Sequence, residues 1–306
     1  LYDDYIEFKS KRFKTQNIKF KYIKRLKTNK IVTVNVGNLS TITGYLDIEG
    51  DNIRVTSEKK IAYFPRTQLV SIAEGKEDWK SSWENEITIN LGFKSGNTDQ
   101  TDFGTIIKLR NKLSKSKLSV DYIGNYSSTN GYTTIDNQRL SGDFQIYQTQ
   151  RFFLKPIFGE YYKDKFSNIK SSYNVGVGLG YKVIDSEDLD IEISGGPAYK
   201  KTVYYSYEDG EDSQNSTGIL SVSTNLESEI TKDLDFDLTY KFEILDKKNG
   251  TYTHHILSKL DHELYEDFDL VISFIWDRIE NPTNTNDGNS PKKDNFQLLF
   301  GLGYEF

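Results

Sequence analysis

From Trp83 to the last residue, apolar side chains recur at every second position. The series opens with Ile87, Ile89, Leu91, Phe93, then Phe103, Thr105, Ile107, Leu109, then Leu118, Val120, Tyr122 and then Leu140, Phe144, Ile146. It continues through Phe152, Leu154, Phe158; Val175, Val177, Leu179; Leu189, Ile191, Ile193; and Leu220, Val222, Leu226. Leu234, Phe236, Leu238, Tyr240, Phe242, then Ile256, Leu260, Leu264, then Phe268, Leu270, Ile272, Phe274 lead to the terminal set Phe296, Leu298, Phe300, Leu302, Tyr304, Phe306. A period of two gives each strand one apolar and one polar face. Twelve such segments predict twelve strands.

The connections between them alternate in length after the first hairpin. Ser114–Lys117, Gln148–Gln150, Asp185–Asp188, Thr231–Asp233 and Tyr265–Asp267 are short, whereas 127–136, 163–172, 204–216, 246–252 and 280–294 are longer. Outer-membrane barrels place short turns in the periplasm and long loops outside. An even strand number then brings both barrel ends to the periplasmic side. Residues 29–75 read differently, as five short strands at Ile31–Val36, Thr41–Ile48, Asn52–Ser57, Ile61–Phe64 and Gln68–Ile72, broken by Gly37-Asn38, Glu49–Asn52 and Pro65-Arg66. The expected fold is therefore all-β: a roughly 12-stranded antiparallel transmembrane β-barrel over residues 80–306, preceded by a small SH3-like periplasmic β domain at 29–75 and a basic leader at 1–28.

Composition supports this compartment. A mean hydropathy of −0.62 beside 14% aromatic residues suits a chain that meets lipid on alternate residues only. No apolar run approaches the roughly 20 residues of a spanning helix, so closed strands are the remaining way to satisfy a backbone in lipid. With no cysteine, thiol nucleophiles, thiolate metal sites and disulfides are excluded. The chain has no methionine and starts Leu1-Tyr2-Asp3-Asp4, which reads as a mature form whose export signal has been removed. Its net charge of −6 is unevenly spread, +7 over residues 1–30, −1 over 31–80 and −12 over 81–306.

Several motifs resemble one family. Trp83-Glu84-Asn85-Glu86-Ile87-Thr88-Ile89-Asn90-Leu91-Gly92 followed by Ser95-Gly96-Asn97-Thr98-Asp99, then Phe152-Phe153, Tyr162-Lys163-Asp164-Lys165-Phe166 and Gly176-Val177-Gly178-Leu179-Gly180-Tyr181, are similar to the YdiY-like salt-induced outer-membrane protein family. The resemblance covers about residues 80–306. Thr43-Gly44-Tyr45-Leu46 and Val70-Ser71-Ile72 resemble the short domain that precedes such barrels. It implies an outer-membrane β-barrel and carries no substrate, cofactor or catalytic residue. The basic leader has no counterpart in it.

The opposite register would line the bore. It holds Lys108, Arg110, Lys112, Arg139 and Lys155, with Asp121 and Asp143, on one arc. Asp235, Asp237, Glu243, Asp261, Glu263, Asp269 and Asp277, with Lys241 and Lys259, form the other. Opposed arcs either set up a transverse field that filters solutes by charge or pair with each other and fill a tube narrower than a porin of 16 to 18 strands. Gly176, Gly178 and Gly180 leave a bare strip of wall that admits either open space or a close-packed plug.

Catalysis finds no support. His254 and Ser258 share a face about 13 Å apart along a strand, His254 and His255 point to opposite faces, and His262 stands alone. Ser114-x-x-Lys117 and Ser167-x-x-Lys170 fall in turns, and the acidic run Glu208–Asp212 lacks the spacing of a calcium loop. Tyr204, Tyr205, Tyr207, Trp276 and Tyr304 read as interfacial girdles, with Trp79 and Trp83 at the periplasmic rim. Tyr304 and Phe306 form the outward-facing terminal assembly signal. The expected function is a narrow passive channel for small polar or charged solutes. The alternative is a structural or interaction subunit of an envelope complex that docks partners through the N-terminal domain, by way of Phe13, Ile18, Phe20, Tyr22, Ile23 and Leu26. No cofactor, metal or nucleic acid is expected. The expected partners are outer-membrane lipid and lipopolysaccharide, the barrel assembly machinery and a periplasmic or envelope protein.

Overall fold

A run such as Val32-Thr33-Val34-Asn35-Val36 is wholly buried, so it needs strands on both edges and cover on both faces, and the computed structural model supplies them. The structure describes residues 5–8, 16–19, 22–37, 40–58, 60–80, 82–186, 188–207, 212–247, 250–265, 267–286, 288 and 290–306. Strands β1 (Tyr5–Phe8) and β2 (Gln16–Lys19) form a hairpin. Strands β3 (Arg25–Lys27), β4 (Val32–Val36), β5 (Ser40–Glu49), β6 (Asn52–Thr56), β7 (Ile61–Pro65) and β8 (Leu69–Glu74) form one sheet in the order β7-β6-β5-β4-β8, with β3 on β5. Val32, Val34, Val36, Leu46, Ile48, Ile53, Val55 and Leu69 make its core, and Ile23 and Leu26 pack against it. The sheet thus draws in residues of the basic leader. Phe13 and Phe20 lie outside the described residues.

Twelve further strands close on themselves: β9 (Trp83–Lys94), β10 (Gln100–Lys112), β11 (Ser116–Thr129), β12 (Tyr132–Tyr147), β13 (Phe152–Asp164), β14 (Ile169–Asp185), β15 (Leu189–Tyr204), β16 (Gln214–Thr231), β17 (Leu234–Ile244), β18 (Tyr252–Tyr265), β19 (Phe268–Ile279) and β20 (Asp294–Glu305). All pairs are antiparallel neighbours in sequence except the closing pair. There Tyr304 sits opposite Ile87, and Phe306 exchanges backbone hydrogen bonds of 3.0 and 3.2 Å with Asn85. Phe306 therefore closes two residues below Ile87, at the end that also carries the short turns.

The expected outward series holds for most strands. Val175, Val177, Leu179, Phe296, Leu298, Phe300 and Leu302 are all exposed on the outer wall. Phe158 differs. The β13–β14 register shifts between Lys155 and Phe158, at Pro156, which has no N–H for the ladder and is placed at such bulges for that reason. The extra residue turns Ile157 outward and Phe158 into the bore, where its ring meets Gly176. The connection expected at 127–136 also differs. β11 and β12 run on to a two-residue turn in which Asn130 (φ 51°) and Gly131 (φ 80°) take the positive φ values that tight hairpins require. Three of the other long connections shorten, to 165–168, 205–213 and 280–293, and the fourth shifts by one residue to 245–251.

The β domain rests on one turn of the barrel. The Ser114 carbonyl accepts from Asn35 Nδ2 (3.2 Å) and from Ser71 Oγ, and the Ser114 N–H donates to Glu77 Oε1. Asn111 Nδ2 donates to the Trp79 carbonyl at 2.9 Å, and Trp79 packs edge-on against Trp83 at 5.5 Å.

Candidate functional site: a charged bore

Alternation sends charged side chains inward from both walls, and a twelve-stranded bore is narrow enough for them to meet. Lys108 of β10 donates to Asp237 of β17 at 2.6 Å, across strands separated by five steps of the ring one way and seven the other. Arg139 of β12 spans the same diameter to Asp277 of β19 at 2.6 Å, while its other arm reaches Glu160 of β13 at 2.6 Å. Glu160 also accepts from Lys241, and Asp277 is 2.9 Å from His255 Nδ1. Lys259, 1% exposed, donates to Glu86 and lies 3.3 Å from Asp261. Above this waist Glu243 gathers Lys200 (2.5 Å), Asn174 (2.7 Å) and Thr253 (3.0 Å).

The waist is nearly full. Its two cavities are about 120 and 60 Å³, room for a few waters each. The glycine strip of β14 is plugged: a Cβ on Gly180 would lie 2.1 Å from the Phe153 ring, and one on Gly176 would lie 2.6 Å from that of Phe158. The inner wall is also less polar than alternation alone implies, because Ile106, Ile123, Leu257 and Ile275 form a buried cluster within the barrel, with Leu299 against it.

Toward the short-turn end the bore opens into a chamber of about 580 Å³ with Val70 and Ser71 of the β domain on its rim. Its lining holds Glu86, Asp185, Asp188, Asp190, Glu192, Glu227, Glu229, Asp235, Asp237, Asp261, Glu263, Asp269 and Glu305 against three lysines, Lys112, Lys117 and Lys182. At the long-loop end Asn168 donates to the carbonyls of Ser206 (2.7 Å), Thr283 (3.3 Å) and Asn284 (3.4 Å), which ties three connections over the opening. Beyond the strands Glu280 is held below the usual carboxylate range by hydrogen bonds from Lys293 and Arg278.

The anticipated bore residues fall at the waist, beside their own wall, at the rim and in the chamber. Lys108, Arg139, Asp237 and Asp261 join the waist network described above, and Glu243 gathers its own partners over it. Arg110 pairs with Asp121 (2.6 Å) and Lys155 with Asp143 (3.1 Å), each beside its own wall. Lys112 turns to Glu84 at the rim (2.7 Å), and Asp235, Glu263 and Asp269 line the chamber. Sequence reasoning missed Glu160, since carrying the alternation straight through Pro156 assigns it to the lipid face. The proline itself was the available signal. Glu86, Glu192 and Lys200 were legible from parity, yet pairing across strands gives them their roles.

Among the described residues, the histidines and serines singled out in the sequence do not form a dyad with one another. His254 stacks outside the barrel on Trp276 (5.6 Å) with Nδ1 2.9 Å from the Tyr240 hydroxyl, whereas His255 is committed to Asp277. Ser114 is engaged by the β domain, and Lys117 lies 3.6 Å from Glu192. Ser167 donates to Asp164 Oδ2 at 2.6 Å. Most of the acidic run 208–212 lies outside the described residues. Tyr204 is no girdle residue: it is 8% exposed and lines the upper cavity. Trp276 does face outward, beside Phe296 at 6.4 Å, with its indole N–H donating to Asp294 at 2.9 Å.

A family model described as "Protein of unknown function, DUF481" matches residues 87–306, the region on which the sequence resemblance rests. No curated protein sequence matches the chain. Among solved structures, the NanC porin is similar at 12% identity and TM-score 0.44, over 72% of this chain and 98% of that one. The translocator domain of autotransporter NalP from Neisseria meningitidis is similar at 13% identity and TM-score 0.36, over 73% and 87%. The outer membrane channel DcaP of Acinetobacter baumannii is similar at 13% identity and TM-score 0.33, over 90% and 94%. Likenesses of this size carry no argument about function.

Proposed function

The chain belongs to the DUF481 family of proteins of unknown function, and from that premise we propose that it is an outer-membrane β-barrel that acts as a narrow, charge-filtering passage for small polar or charged solutes, shut across its waist at rest. The membrane reading is supported by a ring of twelve strands whose outer wall is a continuous apolar surface. Such a surface is far larger than a protein leaves in water, and closure satisfies the backbone within it. The short turns, both barrel ends and the small β domain then face the periplasm, and we read that domain as SH3-like. Phe306, outward at the seam, is the end we expect the assembly machinery to engage, and lipid and lipopolysaccharide are the expected neighbours of the outer wall.

One observation carries the functional reading: Arg139 is held at 2.6 Å from both Glu160 and Asp277, so that a single guanidinium bridges the bore. A solute of any size passes only when that bridge parts. In planar bilayers the refolded chain should show small, infrequent openings, and Arg139→Ala should enlarge them and shift the charge selectivity. Silence from both proteins in folded form, or a large unselective wild-type conductance, would overturn the proposal.

A second reading is favoured by the contacts on Ser114. Among the described residues Asn35 and Ser71 of the β domain both bond the Ser114 turn of the barrel, a small footprint that we read as leaving surface for an envelope protein. Deleting residues 1–75 should release a stoichiometric partner from the detergent extract, whereas recovery of a lone barrel before and after deletion would count against it.

A further inference from the structure

The chamber below the waist holds more negative charge than the protein neutralises. Its three lysines lie on β10, β11 and β14 and have partners of their own: Lys112 pairs with Glu84, Lys117 with Glu192, and Lys182 with Asp185 and Asp190. On the facing arc Glu229, Asp235, Glu263 and Asp269 form no ion pair among the described residues. Glu229 of β16 stands directly opposite Asp235 of β17, and Glu263 of β18 directly opposite Asp269 of β19. On its other side Asp235 stands opposite Asp261 of β18, another acid. Like charges directly opposite in a ladder are destabilising, so the arc costs stability unless something outside the chain offsets it.

A second observation points into the same space. Glu192 is 5% exposed, yet among the described residues its Oε2 has no hydrogen-bond partner, and Lys117 lies 3.6 Å from Oε1. A buried, half-satisfied carboxylate on the chamber wall is costly in the absence of a donor.

The geometry of the acids chooses among cations. Among the described residues, no three carboxylates or histidines converge as a metal ion requires. They are instead strung along neighbouring strands, and β16 to β19 span three intervals of about 4.8 Å, or about 14 Å of arc. A compact divalent ion meets too few oxygens there, while an extended chain of spaced ammonium groups meets one carboxylate after another. We propose that the chamber binds a linear organic polycation of the polyamine class, its ammonium groups seated along Glu229, Asp235, Glu263 and Asp269 with Glu192 facing them. The proposal does not rest on conduction through the waist, because binding is read in detergent.

The probe is spermine, titrated calorimetrically into the full chain in micelles at fixed ionic strength. Saturable binding is expected, weakened about tenfold or more in the Asp235→Asn, Asp269→Asn double variant and unchanged in Asp102→Asn, outside the chamber. The double variant relieves like-charge repulsion, so its unliganded unfolding midpoint should rise, which separates lost binding from lost fold. Three results overturn the proposal: no binding by the wild type, binding that survives the double variant, or displacement by magnesium beyond that of sodium chloride at matched ionic strength.

Discussion

Arg139→Ala removes the one cation that Glu160 and Asp277 share, and the cost follows from what remains. Arg139, Glu160 and Asp277 have side-chain exposures of 11%, 6% and 15%, so little water reaches the pair across the bore. Breaking a buried ion pair by deleting one partner costs about 3–5 kcal/mol, because the other charge stays buried without compensation. After Arg139→Ala, Glu160 keeps Lys241, whereas Asp277 keeps only His255. Asp277 is thus the stranded group, and Asp277→Ala in the same chain removes it. The double variant should therefore cost scarcely more than the worse single one. Urea unfolding of the full chain in micelles, followed by tryptophan fluorescence, supplies the three values for a double-mutant cycle. If the two single costs add to within about 0.5 kcal/mol, the sites are uncoupled. Single costs below about 1 kcal/mol would be those of a pair screened by water. Either result would mean a water-filled waist and would refute the closed-bore argument.

Three further outcomes are expected. Gly180→Ala, whose Cβ would meet the Phe153 ring, should cost about 1–3 kcal/mol as overpacking does, and Phe153→Leu in the same chain should recover part of the loss. The chain has no cysteine, so a spin label at Ile157→Cys should report lipid-dissolved oxygen and one at Phe158→Cys should not; the reverse would place the Pro156 bulge wrongly. Glu77→Ala, which frees the Ser114 N–H, should speed proteolysis between residues 75 and 83 and leave the barrel intact on gels; unchanged cleavage would show that this contact does not hold the domain.

Alternation was sufficient for the strands because a side-chain period of two is a local property. Once lipid or core covers one face, Ile87 and Leu298 declare their side without help from distant residues. The same logic fails where the backbone departs from regular pairing. Pro156 reverses inside and outside for the residues that follow, which turned Phe158 into the bore and hid Glu160. The turn at Asn130-Gly131 took in residues that polarity alone assigned to a loop. Tyr204 shows the limit for aromatics: its ring type suits an interface, but its position on β15 under the tied connections buries it.

Read alone, the chain determines its all-β class, the twelve strands, the two faces of each and the crowding of charge on the inner one, since each follows from residue order and strand geometry. Which inward charges meet is set by ring closure, which brings β10 opposite β17 and β12 opposite β19, over a hundred residues apart in sequence. Closure pairs Arg139 with Asp277 at the waist and leaves Asp235 and Asp269 in the chamber with no ion pair among the described residues. The difference between a filled waist and an acidic chamber lies in distances across the bore, and no local pattern encodes those.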